Sequence, residues 1–403
     1  MKRILLASTA IVAFAGAAAA EVSFEGDSEF GWNDEFDDGF FWSVGATLLF
    51  SMELDNGLTA SVSGDVEFVN SPEDDEEANG NSTFDGNEIE IDDLVLGIEN
   101  DFASLMFGDT APAADSFWSS PVTNLDADDF NDEDDLDDED GVIIGRVTFG
   151  QTEVGLSYAV VDSNDTDDST INDGSIDDLI GLQLGATTTV AGVDLLFAYQ
   201  EAVDGLESDI ETTDIPDTPE IYAFGASTEL AGFDLGFAFA YANDDDSDTD
   251  EELTSVGLQG ATTIGDITVT VFYVFQDAES DVLDDDVDDN YGIELDYAPS
   301  SMPLTASFRF HDGQDEETAV DVTYEAFGIA FFAGYLDEGE TGAGVDGSSY
   351  YYLGGDYDLG GGANVRVSYA DIDREDGDDL TRDELGAAED VKEGFSLILS
   401  FVF

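Results

Sequence analysis

The stretch Phe395-Ser-Leu-Ile-Leu-Ser-Phe-Val-Phe403 decides the fold class. Large apolar side chains occupy every second position, and the positions between them are smaller or polar on average. The first set is Phe395, Leu397, Leu399, Phe401 and Phe403, and the second is Ser396, Ile398, Ser400 and Val402. Such alternation suits a strand with lipid on one side and water on the other. The stretch is typical of the last strand of a bacterial outer-membrane barrel.

The first twenty residues predict how the chain reaches a membrane. Lys2 and Arg3 precede an apolar stretch that runs to Ala15, and Ala20 closes a small-x-small motif. A short basic and then apolar segment ending in small residues is a secretory signal peptide rather than a spanning helix. We therefore predict a signal peptide over residues 1–20.

The mature chain, residues 21–403, has no apolar run long enough for a helical membrane span. Its apolar stretches are interrupted well short of the ~20 residues that a span needs, which excludes a helical membrane protein. The sequence has no cysteine, so an exported chain must be held together without disulfides. Continuous hydrogen bonding around a closed sheet would hold such a chain together.

Net charge is extreme, with 97 acidic residues against 8 basic ones. Loss of Lys2 and Arg3 with the signal peptide takes the formal charge from −89 to −91. Nucleic-acid binding needs clustered Lys and Arg, so nucleic acid is excluded as a partner. Because 42% of the residues are hydrophobic and 11% aromatic, the acidity does not indicate disorder.

Short and long connections alternate between the predicted strands. Tight, mostly Gly- or Asn-containing turns are predicted near residues 55–57, 100–102, 150–153, 190–193, 231–232, 264–266, 298–303, 326 and 359–362. Long acidic connections are predicted at residues 70–86, 162–177, 201–219, 243–252, 277–290, 336–347 and 371–390. Short turns at one end and long loops at the other are the topology of an outer-membrane barrel.

The fold class is therefore predicted as all-β, a closed antiparallel transmembrane barrel of 16–20 strands. The segment tally gives about 20 strands, and 16 or 18 stay open. A barrel of 16 or more strands encloses an aqueous lumen. The alternative is a soluble sandwich, whose strands also alternate. Tyrosines near the strand ends predict an aromatic girdle; they are Tyr199, Tyr222, Tyr241, Tyr291 and Tyr297.

One connection, residues 109–141, differs from the others. It opens with Pro112, Phe117, Trp118 and Pro121 and then becomes strongly acidic. Apolar residues at its start suggest that part of it packs against a surface. We predict a loop that folds into the lumen and constricts the pore.

The chain resembles the general diffusion porins of alphaproteobacteria, the Rhodobacter-type family. The resemblance lies in residues 21–27, in Phe107-Gly108-Asp109, in residues 352–363 and in the final strand. It implies trimers of 16-stranded barrels whose third loop folds inward, with acidic loop residues facing basic wall residues. It also implies outer-membrane lipid and lipopolysaccharide as surroundings. The scarcity of cations and the higher strand tally depart from that pattern.

Strand alternation places three arginines in the lumen. Arg146, Arg309 and Arg366 each share a face with small or polar neighbours, whereas Phe149, Phe310 and equivalents face outward. An arginine at lipid depth would cost about 2–4 kcal/mol, which favours the inward orientation. Facing acidic residues of the third loop, these arginines would set a transverse field across the constriction. The acidic members of this predicted site are Asp109, Asp115, Asp126, Asp128 and Asp129. The alternative is that each arginine only neutralises nearby lumen acids.

Acidic runs such as residues 244–248 and 284–289 have two interpretations. Their carboxylates could bind Ca²⁺ at the loops, although no run has the EF-hand spacing. The alternative is a solvated halo, as in halophilic proteins, where salt screens the repulsion. No cofactor is otherwise predicted.

The sequence thus predicts an outer-membrane porin, a water-filled and cation-preferring channel for passive diffusion of ions and small hydrophilic solutes. It is not expected to be an enzyme. The alternative is a non-conducting structural or adhesive outer-membrane barrel, for which a separate passenger domain would be expected. A lipase would need a Ser-His arrangement, and His311 is the single histidine.

Overall fold

A computed structural model gives the fold of the chain. It describes the strands and their short connections. The described residues are 20–34, 39–54, 56–70, 88–128, 130, 141–160, 179–203, 218–246, 249–280, 289–313, 316–339, 347, 349–373 and 391–403. The predicted signal peptide lies outside these residues except for Ala20, which begins the first strand.

Twenty strands form one antiparallel sheet. They are β1 Ala20–Asn33, β2 Phe40–Glu53, β3 Thr59–Asn70, β4 Glu88–Asn100, β5 Ala103–Gly108, β6 Gly141–Phe149, β7 Thr152–Val160, β8 Leu179–Val190, β9 Val193–Gln200, β10 Glu220–Leu230, β11 Phe233–Asp246, β12 Thr249–Ile264, β13 Ile267–Ser280, β14 Asn290–Tyr297, β15 Leu304–Asp312, β16 Glu317–Ala326, β17 Ile329–Glu338, β18 Ser349–Gly360, β19 Ala363–Asp373 and β20 Gly394–Val402. Between β5 and β6 lie a short helix, α1 (Ala113–Phe117), and a 3₁₀ turn, Asp126–Asp128.

The sheet closes on itself. Each strand pairs with its sequence neighbours, and β1 also pairs with β20, from Asp27 opposite Val402 to Asn33 opposite Ser396. Beyond the end of β20, the backbone of Phe403 exchanges hydrogen bonds with Gly26, at 2.8 and 2.9 Å. Closure leaves no edge strand to aggregate or to expose unpaired backbone groups.

The two faces of the sheet differ as the alternation predicts. On β11, Phe233 and Leu235 are exposed on one face, while Ala238 and Ala240 are buried on the other. Around the ring, most outward positions carry aromatic or aliphatic side chains, and most inward positions carry small or polar ones. Large inward exceptions such as Phe41, Phe332 and Tyr352 are buried. The outer face is therefore suited to lipid and the inner face to water.

Tight turns join the strands at one end, here called the tight-turn end. In three of them a two-residue turn has positive φ at both positions, as at Ala191 (55°) and Gly192 (84°). This is the type I′ geometry that suits the twist of a hairpin. The tight turns expected from the sequence are confirmed. The opposite end is called the long-loop end.

Tyrosines line the outside of the barrel near the long-loop end. The rings of Tyr199 and Tyr222 are 4.9 Å apart, and Tyr241 follows at 6.4 Å from Tyr222. Both Tyr199 and Tyr222 donate hydrogen bonds to Glu220. Tyr291 lies near the same end and bonds Asp312. Tyr297 ends β14 at the tight-turn end.

Two sequence-based expectations are corrected. The 16 strands implied by the resemblance are wrong, and the tally near 20 is right, because each alternating segment forms its own strand. Residues 243–252 are not a long loop. The ladder between β11 and β12 continues through Asn243 opposite Glu252 to Asp246 opposite Thr249. Acidic side chains do not stop a ladder whose register is set by the apolar strand below it.

Among the described residues, no helix has the length and apolar character needed to cross a membrane.

Candidate functional site

The inner face of the barrel is rich in carboxylates and poor in cations. On β1 the inward positions include Glu25, Asp27 and Glu29, at alternate residues of one strand. Like-charged groups spaced two residues apart lie ~7 Å from one another. This strand gives the lumen a line of negative charge that needs no loop to position it.

The connection between β5 and β6 lies on the inside of the barrel. Its helix α1 contacts β7, β8 and β9, and its 3₁₀ turn contacts β10, β11 and β12. Val122, Leu125 and Phe130 pack in one cluster with wall residues such as Ala198 and Ala223. Those wall residues belong to the small and polar face, so the covered wall is the inner one. We call residues 109–130 the inward segment.

Side chains of the wall hold the inward segment by its backbone. The N–H groups of Ala113 and Ala114 donate to Ser157 Oγ (2.7 Å) and Gln183 Oε1 (2.9 Å). Gln183 in turn donates to Gln200 Oε1 at 3.1 Å. Buried polar groups that are all bonded fix one arrangement of the elements they join.

The far part of the segment is held in the same way. Thr123 donates from both its N–H and its hydroxyl to Gln259 Oε1, at 3.0 and 2.9 Å. Asn290 on β14 donates to the Asn124 carbonyl at 3.3 Å. The segment is therefore fastened to the wall from β7 to β14.

A track of glycines lets the inward segment lie flush with the wall. A Cβ added at Gly155 would lie 2.5 Å from the Phe117 ring, and one at Gly257 would lie 2.6 Å from Val122. Gly185 and Gly236 are in similar contact with the segment backbone. Sequence reasoning missed this track. The signal was present, since glycine inside a strand often marks a close approach by another backbone.

Arg146 lies at the root of the inward segment. Its Nη2 donates to Ser116 Oγ at 3.0 Å, and its guanidinium is 5.5 Å from the centre of the Phe117 ring. Val142 and Ile144, on the same face of β6, are fully buried. The predicted inward orientation of Arg146 thus agrees with its contacts. A cation over an aromatic ring gains about 0.5–2 kcal/mol.

Arg309 and Arg366 lie on the part of the wall that the inward segment leaves uncovered. Arg366 pairs with Asp356 through two hydrogen bonds of 2.9 Å and lies 5.3 Å from the Phe332 ring centre. Arg309 Nε is 3.3 Å from Glu317 Oε1. The two groups form an ion pair, but the angles between these atoms do not suit a hydrogen bond. Both cations are thus partnered by wall carboxylates.

The acidic residues predicted for the site differ in position and contacts. Asp128 accepts a hydrogen bond of 2.6 Å from Trp118 Nε1, within the inward segment. Asp115 is half-buried in the first turn of α1, and Asp109 is exposed at the start of the segment. Asp126 begins the 3₁₀ turn. Asp129 lies outside the described residues, as do residues 131–140.

A second piece of chain also lies inside the barrel, just before β20. Val391 is fully buried against inward-facing Phe332, Tyr352 and Ala370. The next residue, Lys392, has its ammonium 4.6 Å from the ring centre of Phe41, which is buried on the inner face of β2. No role for Lys392 was predicted from the sequence. Apart from the apolar Val391, the sequence around it gives no signal for this contact.

Asn33 fastens this second piece to β1. Its side chain is fully buried and donates to the Glu393 carbonyl at 2.6 Å and to Ser396 Oγ at 2.8 Å. We expect Asn33→Ala to lower the free energy of unfolding by about 1–3 kcal/mol, because buried acceptors lose their donor. Urea unfolding of the folded barrel in detergent measures this. Asn364→Ala, on the same inner face near a tight turn, is the control; an equal loss in both variants would contradict the assignment.

The acidic runs give no described metal site. Among the residues that the structure describes, no group of three or more acidic or histidine side chains is arranged to hold a metal ion. Residues 284–288 lie outside that part of the chain. The expectation of Ca²⁺ at the loops therefore stays a prediction.

The sequence model described as Gram-negative porin matches residues 7–308 of the chain. A search of curated protein sequences gave no match.

Solved barrels resemble the chain at low identity. A five-site mutant of the Rhodopseudomonas blastica porin is 13% identical, covers 95% of this chain and 100% of its own, with a TM-score of 0.43. Acinetobacter baumannii OccAB2 is also 13% identical, covers 95% of this chain and 98% of its own, with a TM-score of 0.48.

Proposed function

Because this chain belongs to the Gram-negative porin family, we propose that it is a cation-preferring diffusion channel of the bacterial outer membrane. Ions and small hydrophilic solutes would pass through a water-filled lumen without any chemical step. The observation that carries the proposal is an inner face with many carboxylates and few described cations, with the inward segment packed against one side of it. The closed barrel supplies the wall.

The charge balance of the lumen supports cation preference. The described basic residues of the mature chain are Arg146, Arg309, Arg366 and Lys392. Arg146 contacts the inward segment, and the other three contact side chains of the inner face. Against them are inward carboxylates on many strands, including Glu25 and its neighbours on β1. Fixed charges in a water-filled pore favour entry of ions of opposite sign.

We further propose that the inward segment forms the constriction, with its carboxylates on one side and Arg309 and Arg366 on the other. The segment is fastened along β7 to β14, whereas these arginines lie on β15 and β19. This arrangement supports a transverse field in which polar solutes orient. Arg146 would act differently, by holding the root of the segment.

The test is conductance of the purified protein in a planar bilayer across a KCl gradient. We expect large ohmic current steps. The zero-current potential should have the same sign as the K⁺ equilibrium potential. A folded barrel without conductance would contradict the channel and favour a structural or adhesive role. A trimer is proposed from the resemblance alone; channels lost in groups of three would support it.

Arg309→Ala should increase the cation preference of the pore. Removal of the guanidinium leaves Glu317 without its ion-pair partner and adds one net negative charge to the lumen. The zero-current potential should move toward the K⁺ equilibrium potential, and conductance should rise because the side chain is smaller. Arg309→Lys, which keeps the charge, is the control. Unchanged selectivity in Arg309→Ala would remove this residue from the constriction.

A further inference from the structure

A second cavity lies beside the pore, between the inward segment and the tight-turn end. It has a volume of about 750 Å³. Ser119, Ser120 and Pro121 of the inward segment form one side, and residues of β8 to β12 form the other. We call this cavity the lower recess. Ligand sites of proteins range over about 300–1,000 Å³, so the recess has room for a sugar-sized solute.

The floor of the lower recess is one row of residues in register across five strands. Thr189, Asp194, Ser227, Gly236 and Gln259 are consecutive partners on β8, β9, β10, β11 and β12. Neighbouring strands are about 4.8 Å apart, so the row spans about 19 Å. The row presents hydroxyl, carboxylate and amide groups to a single space.

The inward segment covers only one end of this row. Pro121 lies against Gly236, and Thr123 is bonded to Gln259. The other end remains open to the recess. There Thr189 Oγ1 donates to Asp194 Oδ1 at 2.6 Å, which holds the carboxylate in one orientation. The recess is thus a built cavity with an oriented acceptor.

The charges around the recess favour a cation. Glu229 and Asp234 are direct cross-strand neighbours at its rim, and like charges placed directly opposite destabilise a sheet. The described residues that line the recess include no basic side chain. A bound ammonium group would relieve this repulsion. Leu196 and Pro121 add apolar surface for the carbon face of a ring.

We propose that the lower recess is a binding subsite for small polyhydroxylated solutes that carry an ammonium group, the class of amino sugars. Asp194 would pair with the ammonium, while Ser227 and Thr189 would bond the hydroxyls. The proposal rests on the proposed function, because solutes reach the recess through the lumen. Binding there would raise the local concentration of such solutes next to the constriction.

The test uses D-glucosamine as the probe and D-glucose as the neutral comparison. Saturation-transfer NMR titration of the folded wild-type barrel in detergent at low ionic strength gives both dissociation constants. We expect glucosamine to bind at least about fivefold more tightly than glucose, since one ion pair with a partly screened carboxylate is worth about 1 kcal/mol. Asp194→Asn should remove most of that difference, leaving only the weaker attraction of Glu229 and Asp234 at the rim. Asp27→Asn, with the same charge change on the opposite wall, should keep it.

Three results would overturn the subsite: equal binding of the two sugars, unchanged glucosamine binding in Asp194→Asn, or an equal loss in Asp27→Asn. If Asp194→Asn fails to fold, Thr189→Ala, which frees the carboxylate from its orienting hydroxyl, must weaken binding instead. Bilayer conductance separates the two proposals. An open cation-selective pore without glucosamine binding refutes the subsite alone, whereas binding by a non-conducting barrel refutes the channel alone.

Discussion

Replacing Gly185 by valine should push the inward segment away from its wall and reduce the single-channel conductance. A Cβ at this position would meet the Ala113 carbonyl and the Phe117 side chain. The wall strand β8 blocks the other side, so the segment can yield only toward the pore axis. That movement would also strain the hydrogen bond between the Ala114 N–H and Gln183. Overpacking of this kind also costs about 1–3 kcal/mol of stability. Conductance in planar bilayers and urea unfolding in detergent measure the two effects.

Gly260→Val is the matched control for this substitution. Gly260 lies on the outward face of β12, where an added Cβ would meet only Leu235, at 3.8 Å. Both variants place a β-branched residue within a strand, so an effect of the residue type itself would appear in both. Equal conductance in Gly185→Val and wild type would mean that the inward segment does not control the pore.

Removing the three carboxylates of β1 should weaken cation preference more than any single change. The triple variant Glu25→Gln, Asp27→Asn and Glu29→Gln keeps the size of each side chain and deletes three lumen charges. In water, one charge ~8 Å from a passing ion contributes about 0.5 kcal/mol, so three contribute about 1.5 kcal/mol, or roughly tenfold in ion occupancy. The zero-current potential across a KCl gradient should therefore fall toward zero.

Low ionic strength sharpens this measurement, because the Debye length grows to about 30 Å at 0.01 M. The control is a second triple variant, Asp312→Asn, Asp337→Asn and Asp371→Asn, which removes three carboxylates from the outer face near the long-loop end. These residues accept hydrogen bonds from tyrosines on the lipid side. An equal change in both triple variants would mean that total charge, rather than the lumen line of β1, sets selectivity.

The barrel was predictable because its determinants are local. Alternation along each strand and turn chemistry at each hairpin act over a few residues, as at Ala191-Gly192. These signals gave the strand tally near 20 and the inward faces of Arg146, Arg309 and Arg366. The resemblance misled on strand number, since family membership does not fix how many hairpins a barrel contains.

The interior arrangement was less predictable because it depends on contacts between distant residues. Nothing near Gln259 in the sequence indicates that it binds Thr123, and nothing near Asn33 indicates its bond to Glu393. The apolar start of the inward segment predicted packing but not its position on β7 to β14. The glycines opposite Phe117 carried a signal, yet their partner is known only once the sheet is closed.

The joint between β1 and β20 has a consequence for how the molecule folds. Residues 27–33 have no partner on that side until residues 396–402 arrive, and Phe403 then bonds Gly26 and stacks its ring 6.0 Å from Phe24. Contacts between such distant residues carry a large loop-closure entropy and form slowly. Every other strand pair joins sequence neighbours. We therefore expect the hairpins to assemble first and this joint to close last, as the step that limits the rate of insertion.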